Sequence, residues 1–413
     1  MNILFMTLGK MENVEDHTIY CDLLRCFRDA GHSVYTISPY EKRTGLQTTD
    51  EEKNGVHMLH VRTGNVTGMA NLIEKGVAQL TLESIFIKAI KQYYANIKFD
   101  LIMYSTPPIT FCNAIEYVKK RDGAESYLLL KDIFPQNAVD IGIMSKSGIK
   151  GILYRFFRNK EKKLYRISDY IGCMSPANVE YIKKHNPEID AEKIEVCPNC
   201  IEVIDKSVSE EKRIEIRKKY NIPLDKKVFV YGGNLGKPQG IDFLIKCIHG
   251  QEHNEKVFFL IVGDGTDYGK IEHFVKDSSQ NNVKLMKRLP QEDYDTMVGA
   301  CDVGMIFLDY RFTIPNFPSR LLSYMQAKIP VLACTDSNTD VGRIIEEAGF
   351  GCWCESNDVG KFNECVKNLM NIESVADKEW TYLNQHYSTE KGYQIIMKPV
   401  SYTHLTLPTN SLV

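Results

Sequence analysis

The strongest constraint in the sequence is the run Lys227-Val228-Phe229-Val230-Tyr231-Gly232-Gly233-Asn234-Leu235-Gly236-Lys237-Pro238-Gln239-Gly240, followed by Ile241, Phe243, Leu244, Ile245 and Ile248. The residues before the glycines read as a buried strand, and the apolar positions after them recur at helical spacing. The order is strand, glycine-rich loop, helix, which belongs to a parallel sheet with crossover helices. Glycines let the backbone turn sharply and leave no Cβ in a ligand's way, while the amides opening the next helix favour a phosphate. Lys237 adds a mobile cation. The spacing is neither Gly-x-x-x-x-Gly-Lys-Ser/Thr nor Gly-x-Gly-x-x-Gly, so the loop alone reads as either a phosphate cradle or a plain strand-to-helix turn.

A chain of 413 residues is long enough for two or three domains, each with its own core. With 51 Lys and Arg against 53 Asp and Glu it has no basic excess of the kind that nucleic-acid binders carry. The 12 cysteines show no framework spacing, which fits a reducing compartment. Cys197-Pro198-Asn199-Cys200 is an isolated C-x-x-C without a second pair at zinc spacing. No apolar stretch approaches the roughly 20 residues that span a bilayer. Met1 to Met6 lacks the basic and long apolar regions of a signal peptide and reads as a first strand, so a cytoplasmic protein is expected.

From residue 2 to about 200, β-rich runs alternate with helical segments, the pattern of a doubly wound α/β domain. Strands are expected at Ile3–Met6, Ser33–Ile37, His57–Val61, Leu101–Tyr104, Tyr127–Leu130 and Tyr170–Met174. Gly31 reads as the glycine that closes the first helix, and His32 as a cap-side residue rather than a catalytic one. A polar stretch over 202–226 marks a domain change. A second series follows at Val228–Tyr231, Val257–Val262, Val283–Leu285, Val303–Phe307, Val331–Ala333 and Gly351–Trp353. The expected division is 1–204, 205–398 with a terminal helix over 380–397 crossing back, and 399–413. That last stretch has neither helical nor strand period and is expected to be foreign to the fold. Two doubly wound domains in tandem open a cleft at the carboxyl ends of their strands.

Several stretches converge on the first loop. Gly263-Asp264-Gly265 ends a strand in a tight turn, and Lys287-Arg288 ends another. Asn316-Phe317-Pro318-Ser319-Arg320 starts a helix, where the Ser319 hydroxyl, the Arg320 cation and the free amides suit a diphosphate. Asp293-Tyr294-Asp295 is a D-x-D at a helix start, where acids favour the macrodipole, and it is read as that rather than as a metal site. Between Lys146 and Arg166 stand Lys150, Arg155, Arg158, Lys160, Lys162 and Lys163 against the single acid Glu161, interleaved with Ile152, Leu153, Phe156, Phe157 and Leu164. This segment is either a basic amphipathic helix for an anionic lipid surface or a core-facing stripe with a solvated cationic back.

Taken together, Gly233-Asn234-Leu235-Gly236-Lys237-Pro238-Gln239-Gly240, Gly263-Asp264-Gly265 and Pro318-Ser319-Arg320 through Pro330-Val331 resemble the family 4 retaining glycosyltransferases, of the two-domain GT-B fold. Gly31-His32-Ser33-Val34, Ser105-Thr106-Pro107-Pro108, Asp132-Ile133-Phe134-Pro135 and Pro198-Asn199-Cys200-Ile201 resemble the branch that builds capsule and O-antigen polysaccharide. The resemblance covers roughly residues 1 to 397 and implies a nucleotide-sugar donor on the carboxyl-terminal domain. Gly233, Asn234, Gly236, Gly263, Arg288, Ser319 and Ser323 would bind it, with Lys237 and Arg320 on the diphosphate, Arg288 near the base and Asp132 towards the acceptor. Asp132 reads otherwise as a cap or turn aspartate. Two departures stand out: the family's pair of glutamates falls on Pro315 and Ser323, and its usual arginine and lysine in the first loop fall on Asn234 and Gln239.

The expected activity is therefore hexosyl transfer, with retention, from a nucleotide-diphosphate sugar to a lipid-linked glycan, with no metal or other cofactor and no nucleic-acid partner. The expected location is the cytoplasm, with peripheral contact at the inner face of the plasma membrane. Alternatives are an epimerase of the same fold and a non-catalytic subunit of a glycosyltransferase complex.

Overall fold

The computed structural model describes residues 1–9, 11–66, 72–277 and 282–406. In chain order the strands are β1 (Asn2–Met6), β2 (Ser33–Glu41), β3 (Thr49–Lys53), β4 (Val56–Thr63), β5 (Leu101–Ser105), β6 (Glu125–Leu130), β7 (Tyr170–Cys173) and β8 (Ile194–Val196). They continue as β9 (Lys227–Asn234), β10 (Val257–Asp264), β11 (Val283–Met286), β12 (Val303–Phe307), β13 (Val331–Thr335) and β14 (Gly351–Glu355). Among the described residues these form two sheets, ordered β3-β4-β2-β1-β5-β6-β7-β8 and β11-β10-β9-β12-β13-β14. β3 runs antiparallel to β4, and the other pairings are parallel. Each sheet heads one compact unit: Met1–Glu202 with the stretch that begins at Ser388, and Val203–Tyr387. Both are Rossmann-like, as the alternation of apolar runs and helical segments predicts.

In the first unit, Ile3, Leu4, Phe5 and Met6 are fully buried, as a strand covered by helices on both faces requires. The helix Ile19–Asp29 packs its apolar face onto this sheet, with Leu23, Leu24 and Phe27 in the core. Thr18 accepts a hydrogen bond from the Cys21 amide at its start. Gly31 follows its end at φ +87°, the left-handed turn expected there. His32 Nε2 meets the Tyr393 hydroxyl at 3.0 Å.

That contact exposes a difference from the sequence reading. In place of one terminal helix over 380–397, the chain forms two, Ala376–Tyr387 and Thr389–Thr406, and the second belongs to the first unit. The Tyr393 ring stands edge-on to Phe27 at 4.9 Å, and Ile396 and Val400 are fully buried. The expected pattern-free tail is thus helical from Pro399 to Thr406, while 407–413 lie outside the described residues. Proline removes one backbone donor from a helix, but burial of side chains one turn apart at 396 and 400 outweighs that loss.

The second unit is built the same way, with Phe229, Tyr231, Phe259, Ile261, Met305, Phe307 and Leu332 in one core. It takes in most of the polar stretch at the domain change. Helix Glu210–Lys219 is capped by Ser209 and inserts Arg217, whose guanidinium bonds the Asp302 carboxylate at 2.6 Å and the Ala300 carbonyl at 2.8 Å. The cysteines are free thiols, Cys197 and Cys200 among them, and both of these are buried. No helix among the described residues is long and apolar enough to cross a membrane.

Candidate functional site

In the second sheet the order reverses between β9 and β12, with β10 and β11 on one side and β13 and β14 on the other. At such a reversal the connections leave neighbouring strand ends towards opposite faces, and a crevice opens between them. The glycine loop leaves β9, and the segment after β12 leads into helix Arg320–Ala327. They meet at Gly233. Its φ is +128°, and a Cβ there would stand 2.1 Å from Arg320 Nη2. Glycine is therefore required for backbone conformation and for close approach of the guanidinium.

Arg320 lies over the Tyr231 ring at 4.4 Å from its centroid. Burial opposes its charge, but the surrounding Tyr231, Tyr324 and Tyr294 outweigh this and hold the guanidinium above its ordinary pKa. Tyr324 is fixed by donating to the carbonyls of Met305 at 2.9 Å and Val230 at 3.2 Å. Among the described residues no carboxylate pairs with Arg320. The three tyrosines escape sequence reasoning because they come from distant positions. The available signal is glycine: a Cβ on Gly232 would fall 1.7 Å from the Tyr294 hydroxyl, and one on Gly304 would fall 2.3 Å from the Tyr324 ring.

The remaining glycines shape the loop itself. β9 and β10 pair Gly233 with Gly263, and a Cβ on Gly263 would lie 1.9 Å from the Gly233 carbonyl oxygen. Gly236 leads into the turn Lys237–Gln239, and Gly240 at φ +59° opens helix Ile241–His249. Asn234 and Gln239 hydrogen-bond to each other at 2.8 Å, a neutral clamp across the loop. Tyr231 donates to the Asn234 carbonyl at 2.8 Å. Lys237 is exposed and has no ion-pair partner among the described residues.

The other sequence candidates are less tightly joined. Ser319 is exposed at the start of helix Arg320–Ala327 with its hydroxyl unused as a cap, and Ser323 is half-buried one turn on. Arg288 is exposed beyond β11, the edge strand. Among the described residues no hydrogen bond or ion pair ties Arg288, Ser319 or Ser323 to the glycine loop. Nearby, the side-chain amide nitrogen of Asn316 is buried without a partner. The D-x-D aspartates lie on helix Gln291–Gly299 and are engaged: Asp295 with Lys206 at 2.6 Å, Asp293 with Lys219 at 3.2 Å.

In the first unit Asp132 follows β6, in a loop pinned by the Thr106 hydroxyl, which donates to the Asp132 carbonyl at 3.0 Å. Both carboxylate oxygens accept from the Asn137 side-chain amide, at 2.7 and 2.8 Å. Burial raises the carboxyl pKa to about 6, while the bonds from the Asn137 side chain and the Ile133 amide pull it down. Such a group changes protonation close to neutral pH, as a proton-transfer residue must.

Two Rossmann-like units, the second with a glycine loop and an arginine-led helix at its sheet reversal, define the GT-B architecture of glycosyltransferases. Residues 212–383, most of the second unit, match the family model described as glycosyl transferases group 1. The probable glycosyltransferase WbjE of Pseudomonas aeruginosa is 25% identical over 325 residues, 77% of this chain and 78% of that protein. WcaI of Escherichia coli K12, a putative colanic acid biosynthesis glycosyl transferase, is 21% identical over 253 residues, 60% of each. Among solved structures, sucrose-phosphate synthase of Thermosynechococcus elongatus superposes with a TM-score of 0.75 at 12% identity, over 98% of this chain and 100% of that one. Anabaena HepE in complex with UDP and glucose superposes with a TM-score of 0.68 at 16% identity, over 97% and 100%. At these identities the structural likeness establishes the fold.

Proposed function

We propose that the protein transfers a hexosyl group from a nucleotide-diphosphate sugar to a lipid-linked glycan in cell-surface polysaccharide synthesis, with retention at the anomeric carbon and without a divalent metal. The observation that carries this reading is Arg320, a guanidinium without a carboxylate partner among the described residues, set on a backbone that only glycine fits. A diphosphate supplies the missing counter-charge in a form that a planar guanidinium binds well. Lys237 reaches the same group from the loop, and the amides opening helices Ile241–His249 and Arg320–Ala327 add their dipoles. Gly233, Asn234, Gly236, Gly263 and Ser319 line the diphosphate in this reading, Arg288 approaches the base, and Ser323 meets the ribose.

As the bond from the anomeric carbon to the leaving oxygen breaks, negative charge grows on the diphosphate. Cations already in place lower that transition state more than the ground state. Asp132 is assigned to the acceptor hydroxyl. The solved HepE complex with UDP and glucose supports the donor class, and the names of WbjE and WcaI support the polysaccharide role.

The test incubates the protein with a panel of UDP-, GDP- and dTDP-sugars and a lipid extract from polysaccharide-producing bacteria. Free nucleoside diphosphate should appear only with extract, together with lipid-linked glycan one sugar heavier by mass spectrometry and an unchanged anomeric configuration by NMR. Diphosphate release and sugar isomerisation without any acceptor would instead make the protein an epimerase. Donor binding without turnover on any acceptor would make it a subunit that needs a partner.

A further inference from the structure

Helix Gly148–Ile167 of the first unit carries an apolar stripe on the wrong side for a core. Ile149, Ile152, Leu153 and Phe156 recur at i, i+3, i+4 and i+7 and are 88%, 62%, 48% and 41% exposed. Of the buried positions, Gly151, Glu161 and Tyr165 lie away from the stripe, while Leu164 is buried about three turns beyond Leu153, where the helix turns that edge into the core. Ile143, just before the helix, is 55% exposed as well. Isolated exposed apolar residues are ordinary, but a contiguous large-residue stripe on one helix face marks an interaction surface.

Charge identifies the partner. Arg158, Lys162 and Lys163 are taken up by Glu161 at 2.6 Å, Glu188 at 2.9 Å and Glu116 at 2.6 Å. Lys160 is half-buried and interacts with the Glu83 carboxylate, whereas among the described residues Lys150, Arg155 and Arg166 have no carboxylate partner. At 3.6 residues per turn, Lys150 and Arg155 flank the stripe on either side. An apolar wedge rimmed by uncompensated cations matches the boundary of an anionic bilayer, where acyl chains take the wedge and lipid headgroups the rim. A protein partner would have to offer an apolar groove with acidic edges.

We infer that this face inserts into anionic membrane, with Ile149, Ile152 and Phe156 below the headgroups and Lys150 and Arg155 among them. The alternative of a core-facing stripe holds for Leu164, which is fully buried, but not for Ile152, Leu153 and Phe156, which are exposed. The inference deepens the reading of a lipid-linked acceptor by naming the membrane as a partner. It is tested with neither donor nor acceptor present, so loss of vesicle binding and loss of transfer are separate results.

The full chain is sedimented with vesicles of phosphatidylcholine alone or with about one third phosphatidylglycerol. Parent protein should sediment with the anionic vesicles. Ile149→Ser, Ile152→Ser and Phe156→Ser combined should reduce partitioning at least about tenfold. Lys150→Gln and Arg155→Gln should each reduce it about fivefold at low salt, and less in high salt. All these sites lie on the helix's solvent side, and unchanged melting curves establish that the variants fold. Phe156→Trp should show blue-shifted emission that is quenched by lipids brominated on their tails. Equal sedimentation of parent and triple-serine variant, or a tryptophan that tail bromines do not quench, would overturn the inference. So would a vesicle-free dimer that the triple-serine variant dissolves, since the stripe would then be covered by a second copy.

Discussion

Arg320 and Gly233 act as one feature. The guanidinium reaches its place because position 233 has no Cβ, and the backbone there takes a φ of +128° that L side chains rarely adopt. If Arg320 holds the leaving diphosphate, Arg320→Ala and Lys237→Ala should each lower kcat about 10²–10³-fold while donor affinity falls much less. Gly233→Ala should reproduce the arginine loss although it removes no charge, because the added methyl displaces Arg320. Steady-state kinetics with titrated donor affinity check this, and a Gly233→Ala enzyme with parental kcat would detach the arginine from the chemistry. A second residue is informative for stability. Glu379 is fully buried, neither carboxyl oxygen has a hydrogen-bond partner, and burial alone holds its pKa well above the ordinary value. The folded protein therefore keeps a proton that the unfolded chain gives up near pH 4.5. Stability from this group is full below that pH and is lost as pH rises towards the folded pKa. Glu379→Gln carries no such linkage, so its melting temperature relative to the parent should climb between pH 4 and pH 8. A difference that stays flat over that range would show that the carboxyl is solvated or paired.

At the scale of elements, what was legible in the sequence follows the hydrophobic pattern. Each apolar run read as a strand is a strand, because parallel strands buried on both faces show uninterrupted apolar residues. β3 was not legible: Thr49-Asp50-Glu51-Glu52-Lys53 is polar throughout and exposed, an edge strand held by its pairing with β4. The glycine loop and the start of helix Arg320–Ala327 were legible from glycine and proline punctuation. The tyrosine surroundings of Arg320 were not, since residues 231, 294 and 324 meet only through the sheet order. The loop after β6 lies between these cases. Asp132 was legible as a strand-end carboxylate, but its pairing with Asn137 on helix Gln136–Asp140 was not. That pairing gives a test. If Asp132 acts on the acceptor as the carboxylate, kcat/KM should rise through about pH 6, the pKa that burial sets. Asn137→Ala removes bonds that favour the ionised form, so the rising limb should move to higher pH, and Asp132→Asn should abolish it. A limb that stays in place in Asn137→Ala would assign the titration to another group.

At the scale of the whole molecule, the chain enters the second unit at Val203 and leaves it after Tyr387, and the first unit is completed only by the stretch from Ser388 onward. Helix Thr389–Thr406 is part of the first unit's core. Ile396 and Val400 are fully buried, Tyr393 packs on Phe27, and a Cβ at Gly392 would stand 2.5 Å from Cys200 Sγ. Fully burying an aliphatic side chain such as Ile396 or Val400 is worth about 1.5–3 kcal/mol. Two such residues, together with the Tyr393–Phe27 contact, make up a large share of the roughly 5–15 kcal/mol that stabilises a typical domain. The second unit has no such dependence, because its sheet and core lie wholly within 203–387. The isolated fragment 203–387 should therefore fold alone and unfold in one cooperative transition. The fragment 1–202 should be unstable or aggregated by itself, and it should fold when residues 388–406 are fused to its carboxyl end through a flexible linker. Far-UV circular dichroism and thermal melts of the three fragments decide the matter. A cooperative melt of 1–202 alone, at the temperature of the linked form, would show that the terminal helix decorates the first unit rather than completing it.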